Sequence, residues 1–183
     1  GASMQPTLLD GDKVWVNKLA YDIKVPFTEI NLAEVGDPQR GDIVIIDSKR
    51  AGKRLIKRIV GLPGDTVAMQ NNALVINGEP VNYEVVSRDE SSVIIIEALP
   101  ELSHRARLAS GYVSRSRRSY GPAVVPEDQY FVLGDNRDNS ADSRAYSFVP
   151  REEIVGRSRS VVFSLDGNNL YFFRSERFLT PLN

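Results

Sequence analysis

Short runs of β-branched and aromatic residues, each closed by a turn, leave this chain little room to be anything but a β protein. Lys13-Val14-Trp15-Val16, Asp42-Ile43-Val44-Ile45-Ile46, Leu74-Val75-Ile76, Val93-Ile94-Ile95-Ile96, Tyr130-Phe131-Val132-Leu133 and Val161-Val162-Phe163 all have strand length and strand composition. Between them stand Asp10-Gly11-Asp12, Arg40-Gly41-Asp42, Pro63-Gly64-Asp65, Asn77-Gly78 and Gly134-Asp135, which are turn formers. Leu74-Val75-Ile76-Asn77-Gly78-Glu79-Pro80-Val81 reads as a hairpin with a type I′ turn, because Asn-Gly accepts positive φ at both central positions. Long helical periodicity is absent. Only residues 32–35 and 151–155 are expected to make a turn or two of helix.

The character changes over residues 81–125, where serine and arginine become frequent and turn signals thin out. The expected organisation is therefore an all-β mixed-sheet core built from residues 1–80 and 126–183, with 81–125 inserted as a smaller, less compact β lobe and few short helices. A length of 183 residues suffices for one full core plus a small lobe. A net charge of -1 provides no global field for nucleic acid, and no nucleic-acid partner is expected. The absence of cysteine removes disulfides, zinc–thiolate sites and cysteine nucleophiles, and the single histidine, His104, removes multi-histidine metal sites. No metal or cofactor is expected. No apolar run approaches the roughly 18 residues needed to cross a bilayer, so the chain itself is expected to be soluble.

Three stretches carry candidate chemistry. The first is Gly1-Ala2-Ser3-Met4-Gln5-Pro6-Thr7-Leu8, a serine between small residues and a methionine, with Pro6 stopping any helix across it. The second is Arg54-Leu55-Ile56-Lys57-Arg58-Ile59-Val60. With a period of two, Leu55, Lys57 and Ile59 share one face while Ile56, Arg58 and Val60 share the other. Two readings stand. Either this is an edge strand whose cations snorkel to water, or one cation is desolvated. A desolvated lysine loses its proton more readily and can accept one from a serine, whereas arginine stays protonated, so a base here is Lys57.

The third stretch is Gly134-Asp135-Asn136-Arg137-Asp138-Asn139-Ser140-Ala141-Asp142-Ser143-Arg144. A calcium loop starting at Asp138 fails, because Ser143 stands where the sharp-turn glycine belongs and Val149 where the bidentate glutamate belongs. A solvated Asx-rich loop and a self-satisfying network of arginine–carboxylate pairs both remain open. His104 would permit a Ser–His–Asp arrangement, but no Gly-x-Ser-x-Gly elbow accompanies it and a surface position is expected. Arg105, Arg107, Arg115, Arg117 and Arg118 read as a solvated face, with anionic lipid as the alternative.

Taken in order, Ser3-Met4-Gln5-Pro6-Thr7-Leu8, Arg40-Gly41-Asp42-Ile43-Val44, Lys57-Arg58-Ile59-Val60-Gly61-Leu62-Pro63-Gly64-Asp65 and the 134–144 stretch resemble bacterial type I signal peptidases, the membrane-bound Ser–Lys proteases that remove secretory signal peptides. The resemblance spans nearly the whole chain outside 81–125. It implies Ser3 as nucleophile, Lys57 as general base and Ser140 as the hydroxyl that orients the lysine amine. It also implies Asp142–Arg144 and Asp135–Arg58 as supporting ion pairs. Some members place a serine donor for the oxyanion two positions before the nucleophile, and here that residue is Gly1; the Ser3 backbone N–H would then carry more of the stabilisation. Substrates with small Ala-x-Ala-like residues before the cut call for shallow apolar pockets, with Met4, Leu55 and Ile56 as candidate linings. The implied partners are signal peptides of exported pre-proteins and a membrane lipid surface. The implied place is the bacterial cytoplasmic membrane with the catalytic domain on its outer side, this chain lacking the anchor ahead of Ser3.

Overall fold

The structure, a computed structural model, describes residues 2–24, 31–34, 36–114, 118–166, 169–173, 179 and 181–182. In chain order its strands are β1 (Asp12–Asn17), β2 (Asp22–Lys24), β3 (Asn31–Glu34), β4 (Ile43–Ser48), β5 (Lys53–Gly61), β6 (Thr66–Gln70), β7 (Ala73–Ile76), β8 (Glu79–Pro80), β9 (Asn82–Arg88), β10 (Ser92–Ala98), β11 (Ser103–Ala109), β12 (Tyr120–Val124), β13 (Gln129–Leu133), β14 (Val149–Pro150), β15 (Ile154–Asp166) and β16 (Asn169–Phe173). The all-β expectation holds. Helical structure is confined to 3₁₀ turns at Ala2–Met4, Arg137–Asn139 and Arg151–Glu153 and one α turn, α1 (Ser143–Tyr146), among the described elements.

The main sheet runs β1-β15-β4-β5-β13-β14, with β16 added to β15. Its central strands are buried on both faces, which explains their nearly continuous apolar runs. On β13, Phe131 and Leu133 enter a cluster with Val60, Val67, Leu74 and Ile76, whereas Tyr130 and Val132 enter a second cluster with Val44, Ile46 and Ile59. The first cluster lies against a four-stranded sheet, β12-β6-β7-β8, and a three-stranded sheet, β11-β10-β9, stands apart with its own small core of Val93, Ile95 and Ala106. The 81–125 segment is thus shared: β9 to β11 make the small sheet, but β12 pairs with β6.

The β7–β8 hairpin closes through Asn77 at φ 53° and Gly78 at φ 82°, the signature of a type I′ turn. Two local expectations are corrected. Residues 32–34 belong to β3, which pairs antiparallel with β2, so a ladder partner overrides the helical reading; Val35 lies outside the described residues. In 151–155 the helical turn stops at Glu153, because Ile154 already pairs with Ile46 of β4. The edge-strand reading of β5 is also overturned. β4 pairs with it from Lys53 to Arg58 and β13 from Arg58 to Gly61, so its second half is central.

Candidate active site

β5 positions Lys57. Burial along the strand deepens from exposed Lys53 to buried Lys57, Arg58, Ile59 and Val60, so the two neighbouring cations point to opposite faces and both lose water. Lys57 is only 3% exposed. Its Nζ lies 2.9 Å from Ser3 Oγ and donates to the Ile56 carbonyl at 2.9 Å. Burial pushes its pKa below the ordinary lysine value, and the cations of Lys53 and Arg144 add to that push against the opposing carboxylates of Asp142 and Asp135.

Ser3 sits in the 3₁₀ turn Ala2–Met4, and this turn is held from several directions. Met4 is buried in a cluster with Leu8, Ile43, Val161 and Leu182. The Ser3 carbonyl accepts from the Asn136 backbone N–H at 3.0 Å, and the Ala2 carbonyl accepts from Asn136 Nδ2 at 3.0 Å. Thr7 Oγ1 donates to Asp135, and Arg107 donates to the Gln5 side chain at 2.9 Å. A near-terminal serine is thereby fixed by a loop more than 130 residues away. Gly1 lies outside the described residues.

That loop is a buried network rather than a solvated Asx-rich turn. Arg58, fully buried, grips Asp135 with Nε at 2.9 Å and Nη2 at 2.8 Å, and donates to the Gly41 carbonyl at 2.8 Å. Burial alone would raise the Asp135 pKa, but Arg58, His104 and Thr7 together hold it below the usual carboxylate value. Asp142 accepts from Arg144 Nε at 2.9 Å and Nη2 at 2.8 Å and from the Gly134 backbone N–H at 3.0 Å; these partners overcome burial and keep its carboxyl acidic. Asp142 also caps α1. Both ion pairs implied by the resemblance are thus formed.

Ser140 does not meet its expected partner. No hydrogen bond joins its Oγ to Lys57 Nζ, whose second contact is the Ile56 carbonyl instead. The hydroxyl is buried without a well-formed hydrogen bond, near enough to Asp142 to help keep that carboxyl acidic. It packs directly against Gly134, where any Cβ would overlap both Ser140 Oγ and the Ser3 carbonyl. Gly134 is therefore a close-approach glycine that lets two backbones and a hydroxyl share one small volume.

His104 is the clearest correction. It is 3% exposed, because β11 alternates His104 and Ala106 inward and sets His104 directly opposite Glu97 on β10. Both ring nitrogens face acceptors: Nε2 is 3.0 Å from Glu97 Oε1, while Nδ1 is 3.0 Å from the Arg105 carbonyl and 3.5 Å from Asp135. Glu97 is gripped bidentately by buried Arg137, which holds its carboxyl well below the usual range despite full burial. A chain of polar contacts, Arg58–Asp135–His104–Glu97–Arg137, thus crosses from the small sheet to the main one. The arginine face is also partly redefined. Arg107 and Arg118 are engaged by Gln5 and Asp138, while Arg115 and Arg117 lie outside the described residues.

Ser3 and Lys57 open onto a cleft of about 310 Å³ whose walls include Met4, Leu8, Val14, Leu55 and Ile56. All three expected lining residues face it. From Lys53 to Lys57 the side of β5 away from β4 carries no partner strand among the described residues. No group of three or more acidic or histidine side chains among the described residues is arranged to hold a metal. The chemical content of the site is a hydroxyl, a desolvated amine, an apolar trough and an open strand edge.

Comparison with known proteins finds that the family model described as signal peptidase, peptidase S26, matches residues 1–163. Signal peptidase I P of Bacillus subtilis subsp. natto is 35% identical over 167 residues, covering 91% of this chain and 75% of that protein. Signal peptidase I of Pseudomonas fluorescens is 38% identical over 179 residues, covering 88% of this chain and 62% of that protein. A solved signal peptidase I from Enterococcus faecalis V583 is 31% identical, with a TM-score of 0.44, over 68% of this chain and 98% of that one.

Proposed function

This chain belongs to the signal peptidase family of peptidase S26, and from that premise we propose that it is a Ser–Lys endopeptidase that removes signal peptides from exported pre-proteins after small, Ala-x-Ala-like residues. The observation that carries the proposal is the 2.9 Å contact between Ser3 Oγ and Lys57 Nζ, made by a lysine whose burial favours the neutral amine. Neutral Nζ takes the Ser3 hydroxyl proton as Oγ attacks the scissile carbonyl. Collapse of the tetrahedral species breaks the C–N bond, and the lysinium returns its proton to the leaving amine. Water then attacks the acyl-enzyme, Lys57 again taking the proton and Ser3 recovering it. The Ser3 backbone N–H serves as a donor to the oxyanion.

The supporting residues act by position. The Ile56 carbonyl anchors Nζ, and the Asp142–Arg144 and Asp135–Arg58 pairs stiffen the loop that holds the Ser3 turn. Ser140, wedged against Gly134, keeps that loop close to Ser3. The substrate is an extended peptide laid along the open edge of β5, where main-chain hydrogen bonds provide affinity and the trough of Met4, Leu8, Leu55 and Ile56 admits small side chains. A membrane surface is the second partner, consistent with exposed Trp15 and Leu19 beside Lys13 and Lys18, and the site of action is the outer side of a bacterial cytoplasmic membrane.

The test is cleavage of a pre-protein bearing an Ala-x-Ala site by the parent chain and by Ser3→Ala and Lys57→Ala. Each substitution is expected to lower kcat on the order of 10⁴-fold or more, with both proteins folded. Full activity in Lys57→Ala would end the Ser–Lys reading.

A further inference from the structure

The cleft that holds Ser3 and Lys57 carries a charge the proposed chemistry leaves unused. Lys53 lies on the same face of β5 as Lys57 and lines the same cleft. At about 3.3 Å of rise per residue, its Cα stands roughly 13 Å along the strand from that of Lys57. The other charges around it are engaged: Arg54 is held bidentately by Asp47, Lys49 by Glu152, and Asp12 accepts from the Leu9 backbone N–H. Lys53 is exposed and makes no hydrogen bond or ion pair among the described residues. The cleft wall also holds Asp12 and Arg54 among Met4, Leu8, Leu55 and Ile56, and an exposed ammonium on such a wall can select by charge at that end.

We infer that Lys53 is a specificity residue, which favours peptides carrying a carboxylate side chain about four residues from the scissile bond and disfavours lysine or arginine there. The inference rests on the reading of this cleft as the peptide-cleaving site. An extended peptide on the open edge of β5 has the same rise as the strand, so the side chain four residues from the bond at Ser3 comes level with Lys53. The pair would form at an exposed rim, where such contacts change affinity by about two- to fivefold and weaken with salt. Lys53 is also the cation nearest in sequence on Lys57's own face, and its charge contributes to the lowered pKa of that lysine.

The experiment uses peptides with an Ala-x-Ala site in which aspartate, asparagine or lysine is placed in turn at about three to five residues on either side of the cut. Binding is measured with Ser3→Ala protein, so that it does not depend on turnover, and kcat/KM with the active chain. At one position aspartate is expected to outcompete lysine by about two- to fivefold. Lys53→Gln should erase that ratio and Lys53→Glu should invert it, and the preference should fade in about 0.5 M salt. An unchanged ratio in Lys53→Glu overturns the inference, as does an effect of that substitution only on binding to phosphatidylglycerol vesicles, which would make Lys53 a lipid contact. Charge-dependent binding without cleavage would uphold Lys53 and sink the Ser–Lys reading; cleavage without charge dependence would do the reverse.

Discussion

Two buried polar regions meet at Ser3 and obey opposite rules. In the loop network every charge has a matched partner: Arg58 with Asp135, Arg137 with Glu97, Arg144 with Asp142. In the cleft, Lys57 is just as deeply buried, yet its Nζ contacts a hydroxyl and a carbonyl and no carboxylate. Arg58 and Lys57 are adjacent in sequence, on opposite faces of one strand, and the difference between them is what their neighbours provide. A fully paired cation is fixed and inert. A cation desolvated without a counterion is pushed toward its neutral form, and a neutral amine beside a hydroxyl is a base. The paired region supplies rigidity so that the unpaired one can be reactive.

The sharpest way to break this contrast is to unpair the paired region. Asp135→Ala leaves Arg58 as an uncompensated buried charge and removes the acceptor of Thr7 Oγ1, and the expected loss is about 3–5 kcal/mol of stability, read from denaturant midpoints. A loss under about 1 kcal/mol would mean that water already reaches Arg58 and that the network is not dry.

Gly134→Ala should come next in size. The new methyl overlaps Ser140 and the Ser3 carbonyl, so Ser3 must move away from Lys57. A misplacement of about 1 Å can lower kcat roughly 100-fold while KM, set by the cleft, changes little. Equal changes in kcat and stability would instead show a general loosening.

Lys57→Met should have the smallest effect on the fold and the opposite sign. Unfolded, Lys57 holds its proton up to the ordinary lysine range; folded, it releases it at lower pH. Between those two values the unfolded chain carries the extra proton, so the Lys57 contribution to stability falls as pH drops through that window and stays low beneath it. Methionine has no such penalty. Its thermal midpoint should match or exceed the parent's, and the margin should widen as pH falls through the window and then level off. A constant margin at all pH values would mean that Lys57 is not desolvated. Activity of the parent should rise with pH through the lowered Lys57 value, since only the neutral amine accepts the Ser3 proton.

Local features were readable wherever local physics governs. The β-branched runs became strands because they suit a pleated, buried surface, and Asn77-Gly78 became a I′ turn because those residues tolerate positive φ. Lys57 and Arg58 were placed on opposite faces by the period of two alone. The helical expectation failed at 32–34 because the pairing of β3 with β2 is a contact between segments. His104 was misjudged for the same reason: its burial depends on Glu97 across the β10–β11 register and on Asp135 from a loop far along the chain. Arg137, Thr7 and Asn136 left no local signal of their roles. For Glu97 there was a hint, an inward glutamate on a strand of isoleucines, since such a charge must find a buried partner.

The sequence by itself therefore determined the β architecture and which cation of β5 could serve as a base. These follow from period, turn chemistry and intrinsic protonation, which are properties of single residues and their near neighbours, whereas the roles of Ser3 as nucleophile and Lys57 as its base are what the resemblance to signal peptidases implies. Tertiary structure alone decided that Ser3 would lie 2.9 Å from Lys57, that Ser140 would press on Gly134 instead of bonding the amine, and that His104 would join the small sheet to the loop behind Ser3. Desolvation and pairing are set by what packs around a group. Only the closed fold specifies that, because the groups concerned come from segments that are distant along the chain.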